Sequence, residues 1–275
     1  MKNQLNQQRR RAAGFTLLIL LLLGGSVFGG AKKDAVPAVE ETKQPVTIMV
    51  AAAASLRLSF ENELIPQFQA KYPWITVEGT YASSGQLQTQ IEQGLQADVF
   101  MSAAVTQMNN LVKSGHISAP SVKPLLENKI VLIKPAGTTT AVTEFSNITQ
   151  ARVIALGDPA SVPAGQYARE AFTSLGIWDA VSAKASFGSN VTEVANWVAG
   201  GSAEVGVVYA TDAAAVKDVE VIAQCPDGLL ASPVIYPLGI TAASAHPEEA
   251  KLFFDFLASP EGIGVFRANG FSQAN

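Results

Sequence analysis

Short β-rich runs alternate with helical patterns along most of the chain after residue 45. Such alternation predicts an α/β protein with largely parallel sheets, because parallel neighbours need helical crossovers between them. The predicted strands are Val46–Ala51, Ile75–Tyr81, Val99–Ser102, Lys129–Lys134, Val153–Leu156, Val205–Tyr209, Val219–Ala223 and Val234–Ile240. The predicted helices are Leu58–Lys71, Gln86–Gln93, Ala104–Ser114, Gly165–Leu175, Val191–Ala199, Glu248–Leu257 and Pro260–Asn269.

Small and hydroxyl-bearing residues fill several of the junctions at which a predicted strand gives way to a helix. The hydroxyls and free N–H groups of such turns are neutral donors placed where helix dipoles are positive, which favours anion binding. In open α/β sheets the ligand crevice lies at the carboxyl ends of the strands. Each junction alone is explained by helix capping, but five together predict a binding site. The five residues are Ser55, Ser84, Ala164, Val191 and Tyr209.

The N-terminus has the three-part layout of a secretory signal. A basic segment that includes Arg9, Arg10 and Arg11 precedes an apolar run, and small residues follow. We predict a signal peptide over residues 1–31 and a flexible leader over 32–45, and therefore a periplasmic or other extracytoplasmic location. The alternative is a retained anchor, although the apolar run is short for a bilayer span.

The chain has one cysteine, Cys225, so it can form no intrachain disulfide. The formal net charge is −4, and without residues 1–31, which hold four basic and no acidic residues, it becomes −8. This balance argues against nucleic acid or an anionic membrane as a partner. Any anion must therefore be attracted by local dipoles.

An enzyme or a metal protein is the main alternative class. The sequence lacks a G-x-S-x-G elbow, and its two histidines, His116 and His246, lie in turn-like settings. No metal-binding motif is present, and the three aspartates near strand ends are far apart in sequence. They are Asp98, Asp158 and Asp212. We therefore predict neither an enzyme nor a cofactor.

Between about Val46 and Phe271 the sequence resembles the periplasmic molybdate-binding proteins, the solute-binding components of molybdate ABC importers. The motifs that carry the resemblance occur in order along the chain. They are AAASL at 52–56, YASSG at 81–85, ADVFMSA at 97–103, GDPASVPAGQYAREA at 157–171, GIW at 176–178, VGVVYATDA at 205–213, FLASPEG at 256–262 and NGF at 269–271.

The resemblance implies a type II periplasmic binding protein fold, with two α/β lobes, two crossover segments and a ligand cleft between the lobes. It implies a first lobe of residues 46–126 and 237–275 and a second of residues 127–236. The implied partners are the oxyanion molybdate or tungstate and an ABC permease, with the protein itself a monomer. The alternatives are a sulfate or other oxyanion binder, an extracytoplasmic enzyme, or the sensing domain of a regulator.

The resemblance also implies roles for the five junction residues. Ser55 and Ser84 would each give a hydroxyl and an amide to the oxyanion, Ala164 and Val191 would each give a backbone N–H, and Tyr209 would give its phenol. Gly85 stands where some members of the family have a third serine, and we expect it to loosen this turn.

Overall fold

The computed structural model describes residues 43–274. The predicted signal at residues 1–31, and all but the last three residues of the predicted leader, lie outside this range. No helix within the described residues is long and apolar enough to cross a membrane.

The strands form two mixed sheets. The six-stranded sheet has the order β11-β4-β10-β3-β1-β2, and the five-stranded sheet has the order β7-β6-β8-β5-β9. The strands are β1 Val46–Ala53, β2 Ile75–Ala82, β3 Val99–Met101, β4 Lys123–Asn128, β5 Ile130–Pro135, β6 Ile154–Gly157, β7 Ala185–Gly188, β8 Val205–Tyr209, β9 Val219–Gln224, β10 Val234–Ile240 and β11 Ser272–Gln273.

Ten α-helices accompany the sheets in the described part of the chain. They are α1 Arg57–Ser59, α2 Ile65–Lys71, α3 Ser84–Glu92, α4 Val105–Lys113, α5 Pro163–Ser174, α6 Trp178–Ser182, α7 Val191–Ala199, α8 Ala210–Ala215, α9 Pro247–Leu257 and α10 Pro260–Ala268. A 3₁₀ turn, Ala54–Leu56, joins β1 to α1, and a π-helical segment, Phe60–Leu64, joins α1 to α2.

The prediction of largely parallel sheets is wrong. Strands β1, β2 and β3 pair in parallel, as do β6, β7 and β8, but β4, β5, β9, β10 and β11 all pair antiparallel. A parallel neighbour needs a crossover of a dozen or more residues. Strands β4 and β5 are separated by Lys129 alone, so the chain there changes sheet without such a crossover.

The parallel register places the ends of the strands at one edge of each sheet. In the six-stranded sheet Ala53 at the end of β1 pairs with Ala82 at the end of β2, and Met101 at the end of β3 pairs with Ala52. In the five-stranded sheet Gly157 at the end of β6 pairs with Gly188 at the end of β7. The residues that follow these strands are therefore brought together by register.

Aromatic rings link the core of the six-stranded sheet to the end of β8. Tyr209 lies edge-on to Tyr236 at 5.4 Å between ring centroids, and Tyr236 lies edge-on to Phe271 at 5.3 Å. Phe271 contacts Phe266, which in turn contacts Phe60. Such pairs prefer edge-to-face geometry, so this row fixes the orientation of both tyrosine rings.

The chain joins the five-stranded sheet at β5 and returns to the six-stranded sheet at β10. This path is the one expected for two lobes connected by two segments. The lobe boundaries that we predicted, 46–126 with 237–275 and 127–236, stay a prediction.

Candidate functional site

Four of the five predicted site residues line one small cavity at the carboxyl ends of the parallel strands. They are Ser55, Ser84, Val191 and Tyr209, and the fifth, Ala164, follows Pro163, which also lines the cavity. The remaining lining residues are Ala53, Ala54, Ser83, Ala103, Val162 and Asn190. The structure thus brings together residues that are up to 154 positions apart in sequence (55 to 209).

Ser84 is fully buried as the first residue of α3. A capping box fixes this turn: Ser83 accepts a hydrogen bond from the Gln86 N–H, and the Gln86 side chain accepts one from the Ser83 N–H. The Ser84 Oγ accepts a hydrogen bond from the Ala103 N–H at 2.9 Å. Because that contact uses the oxygen only as an acceptor, the hydroxyl proton is left to be donated.

Ser55 is half-buried in the 3₁₀ turn after β1, and its Oγ lies 3.0 Å from the Tyr236 hydroxyl. The Asn128 Oδ1 accepts from the Lys129 N–H, which turns its Nδ2 toward the Tyr236 hydroxyl at 3.3 Å and the Thr211 hydroxyl at 2.9 Å. The Tyr236 oxygen therefore accepts from Asn128, and the Ser55 Oγ is the acceptor within reach of the Tyr236 proton. With Tyr236 as the donor of this pair, the Ser55 proton is free to point at a ligand.

Tyr209 ends β8 and is almost fully buried, with 1% of its surface exposed. Burial raises the pKa of Tyr209 well above its ordinary value of 10.0, and the neighbouring Tyr236 is the second largest cause of this rise. The phenol is therefore neutral and can donate a hydrogen bond. Its hydroxyl donates to the Ala103 carbonyl at 3.2 Å. The donor predicted for an oxyanion is thus engaged with the protein and must rotate to meet a ligand.

Helix N-termini supply the backbone donors predicted at Ala164 and Val191. Ala164 is the second residue of α5, and Val162 before it makes no side-chain capping hydrogen bond. Val191 is the first residue of α7, where the preceding Asn190 caps only the Glu193 N–H, at 3.0 Å. The first N–H groups of a helix have no partner within the helix. Both positions therefore leave donors at a positive dipole end.

The prediction that Gly85 loosens its turn is wrong. The capping box around it is intact, and the Gly85 N–H donates to the Ser161 carbonyl at 2.9 Å. The contact joins the first turn of α3 to the segment before α5, so the turn is fixed from both sides.

The cavity is small. About 10 Å³ is open to the centre of a water-sized sphere, which is room for roughly one such sphere. A tetrahedral oxyanion has five heavy atoms, so its entry requires the walls to separate slightly and the Tyr209 hydroxyl to leave the Ala103 carbonyl.

None of the residues within 43–274 that line this cavity has a charged side chain. A carboxyl group, that of Asp212, lies nearby and is electrostatically coupled to both Tyr209 and Tyr236. Burial raises the pKa of Asp212 to about 7, and its Oδ2 has no hydrogen-bond partner within the described residues. Below about pH 7 the protonated form of Asp212 predominates, and this neutral form suits an anion site because an ionised carboxylate would repel the ligand.

A second cavity, of about 630 Å³, shares Ala54 and Ser55 with the small one. It is lined by the charged residues Arg57 and Glu61 and by Asp212. Its mixed charges do not match the neutral donor chemistry expected for a reversible oxyanion site, so the small cavity is the better candidate.

Of the histidine and aspartate side chains weighed as candidates for catalysis or metal binding, those of His116, Asp98 and Asp158 have structural partners in residues 43–274. His116 Nδ1 lies 2.9 Å from the Ser114 Oγ, but that serine also donates to the Asn110 carbonyl in an exposed turn. No cluster of three or more His, Cys, Asp or Glu residues could hold a metal ion in this part of the chain. Asp98 and Asp158 accept hydrogen bonds from nearby donors, as capping and bracing residues do.

Sequence reasoning did not assign a role to Tyr236 or Asn128, the two residues that direct the Ser55 hydroxyl. Tyr236 lies in β10 and Asn128 lies in β4. The local sequence of a strand indicates which positions are buried but not which side chains they contact. Their partnership joins positions 108 residues apart, and no spacing rule could have indicated it.

Comparison with known proteins gives matches that cover most of the chain. The sequence matches the family described as "Bacterial extracellular solute-binding protein" over residues 48–272. It is 40% identical, over 84% of this chain and 88% of the relative, to a Bacillus subtilis (strain 168) protein named "Putative ABC transporter substrate-binding lipoprotein YvgL". It is 33% identical, over 82% of this chain and 88% of the relative, to the molybdate-binding protein ModA of Escherichia coli (strain K12).

Among solved structures, the periplasmic molybdate-binding protein of Azotobacter vinelandii matches with a TM-score of 0.72. The identity is 23%, over 83% of this chain and all of that chain. This likeness confirms the predicted α/β fold of the type II periplasmic binding proteins.

Proposed function

This chain belongs to the bacterial extracellular solute-binding proteins, which serve ABC transporters and are not enzymes, and on that premise we propose that it captures molybdate and tungstate. It binds one oxyanion as a monomer outside the cytoplasmic membrane and delivers it to an ABC permease. The ligand contacts are Ser55, Ser84, Ala164, Val191 and Tyr209.

The observation that carries this proposal is a cavity in which neutral donors converge without a charged side chain. Three helices of at least nine residues, α3, α5 and α7, begin at its wall. Their dipoles and unpaired N–H groups favour an anion. The hydroxyls of Ser55, Ser84 and Tyr209 add charge-assisted hydrogen bonds, which are stronger in a dry site.

Neutral donors also favour release. A buried cation paired with the ligand would leave a strongly unfavourable uncompensated charge when the ligand departs. Here the donors from the described lining residues are hydroxyls and amides. All three donor hydroxyls have partners within the protein: that of Ser55 contacts the Tyr236 hydroxyl, that of Ser84 accepts from the Ala103 N–H, and that of Tyr209 donates to the Ala103 carbonyl. The protein can therefore return to its unliganded state at moderate cost, as handover to a permease requires.

The lining chemistry favours a fully ionised oxyanion. Of the described residues that line the cavity, none is a carboxylate that could accept a proton, whereas hydroxyl and N–H donors are numerous. A protonated species such as hydrogen phosphate would have to place its O–H against the Ala103 carbonyl that Tyr209 releases or against a serine oxygen, and it gains fewer charge-assisted hydrogen bonds.

Sulfate is the second candidate, and the small volume of the cavity, about 10 Å³, favours it because sulfate is smaller than molybdate. The 33% identity with a molybdate-binding protein over 82% of the chain favours molybdate over sulfate.

A thermal titration separates these candidates. We expect molybdate and tungstate at 100 times their Kd to stabilise the protein by about 2.7 kcal/mol, seen as a rise in Tm, with little effect of sulfate or phosphate. Native mass spectrometry of the same samples should show one ion per monomer. Equal or greater stabilisation by sulfate would overturn the molybdate assignment, and no response to any of the four ions would overturn oxyanion binding.

A further inference from the structure

One backbone hydrogen bond joins the two sides of the cavity directly. The Gly85 N–H, in the first turn of α3, donates to the Ser161 carbonyl at 2.9 Å. Helix α3 packs against β1 and β2 of the six-stranded sheet, whereas Ser161 lies between β6 of the five-stranded sheet and α5. As the second residue of its helix, Gly85 has no intrahelical partner for this N–H.

The contact is possible only because residue 85 has no side chain. A Cβ atom at this position would lie 2.5 Å from the Ser161 carbonyl oxygen, 2.7 Å from its Cα and 2.9 Å from its carbonyl carbon. All three are backbone atoms, so no side-chain rotation could relieve the overlap. At Gly79, by contrast, the atoms in the way belong to the Tyr81 side chain.

The Ser161 backbone cannot easily withdraw, because its own turn is fixed by hydrogen bonds to Asp158. The Asp158 carbonyl accepts from the Ser161 N–H at 3.1 Å and from the Val162 N–H at 2.7 Å, and its Oδ1 accepts from the Ala160 N–H at 2.9 Å. A side chain at position 85 would therefore push the two sides of the cavity apart rather than reshape the turn.

The contact lies between two predicted ligand donors. Ser84 precedes Gly85 on one side, and on the other side Pro163 and Ala164 follow Ser161 by two and three residues. Two further polar contacts cross in the same region: Tyr209 donates to the Ala103 carbonyl, and the Gln107 Nε2 donates to the Gln166 Oε1, both at 3.2 Å.

We propose that Gly85 is a positioning residue. Because it has no side chain, its backbone can contact the Ser161 carbonyl, and this contact sets the distance between Ser84 and the N-terminus of α5. That distance in turn sets the affinity of the site for the oxyanion. The identity of the ligand in this inference rests on the proposed function, whereas the contact between Gly85 and Ser161 does not depend on it.

The variant Gly85→Ala tests it, with Gly264→Ala as the matched control. Gly264 lies in α10, and a Cβ there would meet nothing within 4 Å. We expect Gly85→Ala to raise the Kd for molybdate at least tenfold, chiefly through faster dissociation, while Gly264→Ala binds like the wild type. The Tm of the ligand-free Gly85→Ala protein should not fall, since alanine is favoured over glycine in a helix and the cleft can open to admit it. A purely structural role would lower that Tm instead.

A second variant locates the clash. In the double variant Gly85→Ala with Ser161→Gly, the obstructing backbone remains, so we expect the affinity to stay low. Ser161→Gly alone, in which the Gly85 N–H can still donate to the carbonyl at position 161, should bind more tightly than the double variant. Rescue by the double variant, or wild-type affinity in Gly85→Ala, would overturn the proposal.

Hydrogen exchange of the Gly85 amide, followed with ¹⁵N-glycine, tests the contact separately from the ligand. With bound molybdate we expect exchange at least tenfold slower than in the ligand-free protein, and exchange of the liganded protein as fast as in an unstructured peptide would contradict the contact. Should none of the four oxyanions bind, the proposed function fails. The contact is then judged in the free protein, where exchange as fast as in an unstructured peptide would overturn it and at least tenfold protection would support it.

Discussion

The Ser84 hydroxyl illustrates how single residues combine structure and recognition in this protein. Its oxygen accepts from the Ala103 N–H, while the Ala103 carbonyl accepts from Tyr209. Ala103 therefore connects a serine that follows a strand of the six-stranded sheet with a tyrosine of the five-stranded sheet. Two predicted ligand donors are oriented through a residue whose side chain has no polar atom.

Replacement of Ser84 by alanine should weaken ligand binding and folding together. We expect the Kd for molybdate to rise about 10- to 100-fold, because a hydrogen bond to a charged group contributes about 1.5–3 kcal/mol. The unliganded variant should lose about 1–3 kcal/mol of unfolding free energy, since the Ala103 N–H is left without its acceptor. Calorimetric titration and urea unfolding measure the two effects.

Ser102→Ala is the control, because Ser102 is equally buried and does not line the cavity. The loss of the Ser102 hydroxyl should lower the free energy of unfolding without changing the Kd for molybdate. An unchanged Kd in Ser84→Ala would remove Ser84 from the site.

At the scale of elements, helix α5 approaches strand β6 through two glycines. A Cβ on Gly165 would lie 2.0 Å from the Gly157 carbonyl oxygen and 2.6 Å from its carbonyl carbon. The backbones thus meet directly, and the N-terminus of α5 is held at the cavity wall by this contact, without a side-chain cap.

Gly165→Ala should destabilise the protein by about 1–3 kcal/mol, the usual cost of overpacking a core. In Gly264→Ala, where the new methyl group meets nothing, we expect a gain of roughly 0.5–1 kcal/mol. Urea midpoints compare the two variants. Equal midpoints would show that α5 can move away from β6 at little cost.

Several element boundaries could be predicted from sequence because their signals are local. Such local signals include the N-caps Ser83 and Asn190 and the prolines that begin α9 and α10, and the predicted helices begin within two residues of the observed helix starts. Strands β4, β7 and β11 were missed. Strands β7 and β11 are short, at four and two residues, and β4 and β11 pair with each other across more than 140 positions of sequence.

The stability of the whole molecule should depend on the protonation of Asp212. Its carboxyl has an ordinary pKa of 3.8, which describes the unfolded chain, and burial raises the pKa to about 7 in the fold. Between these values the folded protein binds a proton that the unfolded chain does not. The free energy of unfolding therefore falls as the pH rises through this range.

Asp212→Asn should remove this dependence. We expect the wild type to lose on the order of a few kcal/mol relative to the variant between pH 4 and pH 7, since each pKa unit corresponds to about 1.4 kcal/mol. Thermal unfolding at several pH values, with both proteins in the same buffers, measures the difference. Parallel curves for the two proteins would contradict a neutral buried Asp212.

The sequence by itself determined the α/β class, the helix starts and the candidate donors, because strand pattern, capping and turn chemistry act over a few residues. Only the tertiary structure decided how these donors meet. Parallel register aligns the ends of β1 and β2 and of β6 and β7, and the Asn128–Tyr236 pair directs the Ser55 hydroxyl. The role of Gly85 depends on the backbone of Ser161, 76 positions away, and steric contact at that separation leaves no local trace in sequence.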